Sequence, residues 1–510
     1  MSSELLNIVF AFPPDEPEPF ATKVSEDRLI RSFVQQLSTI PAQHWLKGAD
    51  TPQDILELLN PTANTLGYTY ALQARIQAAG EPKGPRSIPD LLKPGGSTWN
   101  KIELYLEKCD PVQIRYVGGQ WRSIVEYVER VARALGSPAL AIAPIRSAMM
   151  RLDPTTGTFT STHLNFIRLC MDTRSYTAAV PILDNYIHSL PSRIPRQVLE
   201  QLEGSVLCAD HTDSGDYIYA GSGHSDMVTV QSVQEYYVLG AMAYIGLRQW
   251  KKAMQFLEHV LVTPTNGIAN GLMLEAYRKW VLVSCLATGS LQNLPRTANG
   301  SAMKSIRGAS KAYEALAEAF SAAVDSDSGG PKAIQKLRSQ ANRGAAQWTD
   351  EANAGLVREL LDQQYRVLIA GLASKFAAIP FKNVSEYTGI SIEELVAYVE
   401  KLINDGELNA RIDRLTAPEE LIVLRFFLDP TQGPLAKTEK QQQVALLEQT
   451  QRTTLLASQV KGADFRLSLT KEYTDHVKRV GKKPQFSEEA MDTNWDEGLE
   501  ADEDMMADLH

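Results

Sequence analysis

Seven residues of types that bind metals or move protons, Cys208, Asp210, His211, Asp213, Asp216, His224 and Asp226, fall within nineteen positions. Thiolate, imidazole and carboxylate are the ligands of zinc, and a structural zinc site needs two ligand pairs at fixed separations. Only Cys208 and His211 have pair spacing, no second pair follows, and glycines and serines fill the stretch. This composition predicts a polar surface insertion rather than a metal centre. Gly221-Ser222-Gly223 lacks the preceding strand and further glycine of a dinucleotide loop, and no nucleophile elbow, phosphate-binding loop or H-E-x-x-H occurs. The eight histidines never form H-x-H, which also excludes the pattern of metal isopeptidases that act on ubiquitin-like conjugates. No catalytic, cofactor-binding or metal-binding residue is expected, and the chain reads as a non-enzyme. Cys109, Cys170, Cys208 and Cys285 lie far apart, as reduced and mostly buried thiols do.

Residues without chemistry of their own must serve as architecture. Before residue 350 the apolar spacing is helical, as at Ile124, Val125, Val128 and Val131. Tyr176, Ala179, Leu183 and Tyr186 recur as Trp250, Ala253, Leu257 and Val260, displaced by 74 residues. That displacement is twice a period of about 37 residues, near that of a tetratricopeptide helix pair. Tyr237, Ala241 and Tyr244 supply the large-small-large pattern that lets antiparallel helices approach. A degenerate repeat array is expected, interrupted by loops at 80–96, 210–223 and 325–331. The proline-rich start, residues 1–20, is expected to be flexible.

From residue 356 to 425 the pattern is that of a winged helix. Leu356, Leu360, Leu361, Tyr365, Leu368, Ile369 and Leu372 form the first helical stripe, closed by Ile379-Pro380. Asn383 with Glu386, and Ser391 with Glu394, are spaced as capping boxes on either side of a turn at Gly389. Gly406 ends the third helix; Leu408, Ala410 and Ile412, then Leu421–Leu424, read as two wing strands. A DNA-reading third helix carries Lys and Arg. Between Ser391 and Asp405 stand Glu393, Glu394, Glu400 and Asp405 against Lys401 alone, which points away from nucleic acid and toward protein docking.

The chain has 510 residues, 44% apolar and 22% charged, with a net charge of −10. Ten acids between Glu488 and Asp508, with no base among them, account for that whole charge, so residues 481–510 read as a disordered acidic tail and the body as neutral. No apolar run approaches the roughly 18 residues of a membrane span, and no secretory signal is evident, so a soluble protein of nucleus and cytoplasm is expected. After Pro434, Val444, Leu447, Leu455, Leu456 and Val460 predict a helix whose apolar stripe has no core left to cover; Phe465, Leu467 and Leu469 alternate like a short strand, and Tyr473, Val477 and Val480 return to helical spacing.

Helix pairs that run into a winged helix resemble the PCI domain, here over residues 160–480, with Ile403, Asp405, Gly406, Glu407 and Ile412 matching its helix end, turn and first wing strand. A narrower likeness, to the family of third subunits of the COP-nine signalosome, rests on Tyr236–Leu247, Ala253, Phe256, Thr263-Pro264, Leu274–Ser284, Gly289 and Leu294-Pro295. The start, the 84–94 linker, the acidic tail and the order Glu394-Leu395 depart from that pattern.

The resemblance implies a mainly α fold, a right-handed helical-repeat array (21–229), a PCI domain (230–430) and C-terminal helices (431–480). It implies a non-catalytic scaffold that supports removal of the ubiquitin-like modifier Nedd from cullins. Its partners would be other PCI-domain subunits, the metal-isopeptidase subunit and, indirectly, cullin-RING ligases, with no nucleic acid, membrane or cofactor. Leu408, Ala410, Ile412, Leu421, Val423 and Arg425 are the expected PCI–PCI interface, and Val444, Leu447, Leu455, Leu456 and Val460 the expected bundle interface. A proteasome-lid PCI subunit and a messenger-RNA-export PCI protein that binds nucleic acid are the alternatives.

Overall fold

Small residues at helix crossings and large ones in the grooves between them build the first half of this computed structural model. It describes residues 3–12, 23–47, 54–194, 196, 200, 208, 213–265, 267–325, 330–415, 421–429, 431–468 and 471–480. Two compact units result, Met1–Thr265 with Ala269–Ala317, and Asn266–Ile268 with Glu318–His510.

In the first unit the longer helices are α1 (Ser3–Phe10), α2 (Lys23–Thr39), α3 (Thr65–Ala79), α4 (Ser97–Lys108), α5 (Gly118–Ala134) and α6 (Ile142–Leu152). They continue as α7 (Ser161–Asp172), α8 (Tyr176–Leu183), α9 (Val230–Gly246), α10 (Trp250–Val262), α11 (Gly271–Thr288) and α12 (Gly300–Gly308). The first of these occupies part of the stretch expected to be flexible, and Val9 is buried against Gly67 of α3.

The expected repeats are the pairs α7/α8 and α9/α10, but their spacing has another cause. Helix α9 packs directly on both α7 and α8, so the two pairs are neighbours in the array. The 74-residue displacement is thus one repeat step enlarged by an insertion, not two steps. Ala179, Leu183, Ala253, Leu257 and Val260 are all buried, whereas Tyr186 lies beyond the end of α8 and is exposed. A Cβ on Gly240 would stand 2.7 Å from the Phe256 ring, so only glycine lets α9 and α10 approach as they do.

Helix α13 (Lys311–Val324) spans the boundary between the units, and α14 (Pro331–Arg343) and α15 (Ala354–Leu372) follow. Then come β1 (Ala378–Pro380), α16 (Phe381–Thr388), α17 (Ile392–Asn404), β2 (Ala410–Leu415) and β3 (Leu421–Phe426). The antiparallel sheet has the order β1-β3-β2, and Leu368, Ile369, Leu395, Val399, Ala410 and Leu424 meet in its core. This is a winged helix. Ile379-Pro380 belongs to β1 rather than closing the helix before it. Asn383 and Glu386 do not cap α16, because Pro380 already stands at the N-cap and fixes the helical start at Phe381. Ser391 does cap α17, accepting from the Glu394 N–H at 3.4 Å, and Gly389 and Gly406 take the left-handed turns with φ of 72° and 74°.

Helix α18 (Glu439–Ser468) runs unbroken for thirty residues and α19 spans Lys471–Val480. Phe465 and Leu467, expected in a short strand, lie within α18; Leu469 and the acidic tail are outside the described residues. Among the described residues no helix is long and apolar enough to cross a membrane.

Candidate assembly surfaces

The stretch richest in ligand-type residues is used for packing. Cys208 is buried; its N–H donates to Asp27 Oδ1 at 3.1 Å, and Arg31 lies 3.5 Å from its sulfur. Asp27 also accepts from the Tyr116 hydroxyl at 2.8 Å and Arg31 Nε at 2.7 Å. Burial pushes the Cys208 thiol pKa up, which disfavours the thiolate a metal or a nucleophilic reaction requires. His224 is fully buried against Trp121 and Gly118, with Nε2 3.2 Å from the Ile114 carbonyl and Nδ1 3.1 Å from Ser222 Oγ. Asp226 pairs with Arg122 at the surface, and Asp210 and His211 lie outside the described residues. The segment is therefore not the polar surface insertion its composition suggested: Cys208, Tyr217, Ile218 and His224 all enter the core. Among the described residues no group of three potential ligands could hold a metal.

Pleating divides the wing residues between two faces. Ala410 and Leu424 are fully buried, Leu408 is buried, and the half-buried Ile412 packs against the same core. The other face carries Arg411, Asp413, Val423 and Arg425, with Arg411 opposite Arg425 and Asp413 opposite Val423. Asp413 joins the arginines: Arg411 Nε donates at 2.7 Å and Arg425 Nε at 3.0 Å. Those hydrogen bonds hold its carboxyl below the usual carboxylate range. Leu421 pairs through its backbone with Leu415. Of the six residues expected to meet a partner, Leu408 and Ala410 are thus core side chains, whereas Val423 and Arg425 belong to the outer face.

Edge-to-edge addition needs unpaired backbone. Along Val423–Arg425 strand β3 is paired on both sides, so it cannot accept a further strand there, contrary to the expectation for Leu421–Arg425. Strands β1 and β2 are the edges, and β2 is the longer. Phe427 N donates to Asn409 O, and alternation from that pair turns the N–H and C=O of Ile412 and Arg414 away from β3. Near this edge Glu400 of α17 lies 3.7 Å from Arg414, while Glu393, Glu394 and Asp405 are exposed.

The second surface is α18. Val444, Leu446, Leu447, Leu455, Val460, Phe465 and Leu467 are all exposed, and Leu456 is half-buried. At about 100° per residue they do not form the single stripe expected. Val444, Leu447, Leu455 and Phe465 share one side, and Leu446, Leu456, Val460 and Leu467 the opposite side. Sequence reading missed Leu446 and placed Phe465 and Leu467 in a strand; plotting every apolar residue around the axis was the signal available. A helix apolar on two opposed sides is built to lie between neighbours.

Residues 31–301 match the family described as COP9 signalosome complex subunit 3, N-terminal helical repeats, and residues 345–417 match the PCI domain. The chain is 30% identical to COP9 signalosome complex subunit 3 of Emericella nidulans, over 89% of each chain. It is 25% identical to the Neurospora crassa protein of that name over 99% of each, and 23% identical to the Arabidopsis thaliana one over 85% of this chain and 86% of its relative.

Proposed function

The chain belongs to the COP9 signalosome subunit 3 family, and from that premise we propose that it is a non-catalytic scaffold of a signalosome in nucleus and cytoplasm, supporting removal of Nedd from cullins of cullin-RING ligases. The reading is carried by α18, whose two opposed apolar sides are largely exposed among the described residues. The open edge of β2 adds a second contact, where a neighbouring PCI subunit pairs strand to strand. The isopeptidase chemistry then belongs to a metal-bearing partner.

Two purifications test this. The tagged chain retrieves PCI-domain subunits and a metal-isopeptidase subunit, and the retrieved assembly cleaves a Nedd–cullin conjugate. Alone, the purified chain does not cleave it. Cleavage by the isolated chain, or retrieval of proteasome-lid subunits instead, sinks the proposal.

A further inference from the structure

Between Glu275 and Glu314 the chain has six bases and no acid, in a protein whose net charge is −10. Three of the six are engaged locally or lie apart: Lys279 pairs with Glu275, Arg278 donates to the Ala309 carbonyl, and Lys311 begins α13. The other three, Arg296, Lys304 and Arg307, line one cavity of about 420 Å³ beside Leu294, Pro295 and Met303. No carboxylate lines it. All three cations are exposed, and none has a carboxylate partner among the described residues. Arg307 adjoins the Tyr277 hydroxyl, which donates to Glu314. The N-terminus of α12 opens on the same cavity through Gly300 and adds positive potential.

This lining selects among ligands. A lone phosphate would neutralise the cations and leave the half-buried Leu294 and Pro295 wet; a purely apolar ligand would do the reverse. We propose that the cavity docks an acidic linear segment of a partner protein, with an apolar side chain on the Leu294-Pro295-Met303 floor and flanking carboxylates on Arg296, Lys304 and Arg307. The site stands independently of the assembly reading above. Charge supplies steering and apolar contact supplies residence, so binding weakens with salt without vanishing.

The probe is a fluorescein-labelled synthetic peptide copying residues 492–508, which sets Trp495, Met505 and Met506 among carboxylates. Fluorescence anisotropy is read with the full chain and with a full chain whose ten acids from Glu488 to Asp508 are replaced by Asn and Gln. The probe binds both, R296E/K304E weakens binding at least tenfold, and replacing the probe's Trp and Met by Ser weakens it severalfold. Both substituted positions are exposed, so an unchanged thermal melt certifies the variant's fold. No binding to either chain, or binding indifferent to R296E/K304E, overturns the site. Indifference to the apolar replacements reduces it to a simple anion site and overturns the peptide. Binding only to the acid-neutralised chain shows that the chain's own segment fills the cavity, which overturns docking of a partner.

Discussion

Helices α11 and α18 are both long and both rich in apolar residues, yet one is swallowed by its fold and the other is left uncovered. In α11, Met273, Tyr277, Trp280, Leu282, Cys285 and Leu286 are buried; in α18, every large apolar residue except Leu456 is exposed. Composition already separates them, α11 being much the richer in apolar residues and α18 in glutamine, threonine and charge, although each bears apolar residues on more than one side. The neighbourhood differs as well. Helix α11 follows α10 in the array and is covered by α9 and α10, whereas among the described residues α18 packs on little besides α19. One region buries its apolar residues within its own fold, and the other leaves them on the surface.

The largest effect that would break this contrast is at Trp280, buried, stacked on Tyr277 and donating to Glu258 at 3.1 Å. Trp280→Ala should lower the stability of the array by about 3–5 kcal/mol, read as the midpoint shift in urea unfolding. A change below 1 kcal/mol would mean that α11 is no more committed than α18.

Residue for residue, acid should act nearly as strongly on the same unit, at each of two histidines. Burial pushes the pKa values of His163 and His224 down to about 4. In each, the nitrogen near a carbonyl is the one suited to donate, which leaves the other to accept; His163 Nδ1 lies 3.1 Å from the Thr160 N–H. Protonation would cost that acceptor. Because the folded pKa lies below the unfolded value of about 6.5, the unfolded chain takes up more protons between the two. Stability therefore falls as pH drops from about 6.5 to about 4 and levels off below, by about 3 kcal/mol for each histidine. His259 shifts in the same direction. Calorimetry across that window should show the array's transition moving down while the winged helix, with no buried histidine, moves less. Equal movement would erase the distinction.

The smallest effect on stability should come from α18 itself. Replacing Leu446, Leu456 and Val460 by Ser, or Val444, Leu447 and Leu455 by Ser, should alter stability by no more than about 0.5 kcal/mol. Each set should nonetheless abolish co-purification of partner subunits. A cooperative loss of fold in either variant would show that the helix is covered by its own chain.

How much the sequence discloses follows the same contrast. Helix α17 was legible because its cap at Ser391, its stop at Gly406 and the period of Leu395, Val399 and Leu402 agree with one another. Strand β2 was legible by alternation and β3 as a short continuous apolar run at Leu421–Leu424, but β1 is only three residues long and carries no period. Phe465 and Leu467 imitate a strand because two residues spaced by two also fit a helix with two apolar sides. The 208–226 segment was misread because composition cannot tell a polar loop from one whose Cys208, Tyr217 and His224 meet residues far away in sequence. Of the candidate surfaces, the chain displayed the existence of α18 and the acidity of α17; strand order, which decides the open edge, arises only when β1 takes its place beside β3.

That placement gives the sheet a direction. Phe426 N donates to the Ala377 carbonyl, so alternation turns the backbone nitrogen of Pro380 outward, where proline has no hydrogen to offer, and α16 begins at the next residue. By the same alternation the Ala378 N–H is the one donor β1 keeps on its outer side, whereas β2 keeps those of Ile412 and Arg414. The two margins of one small sheet are therefore unequal before any neighbour arrives, and one proline makes them so.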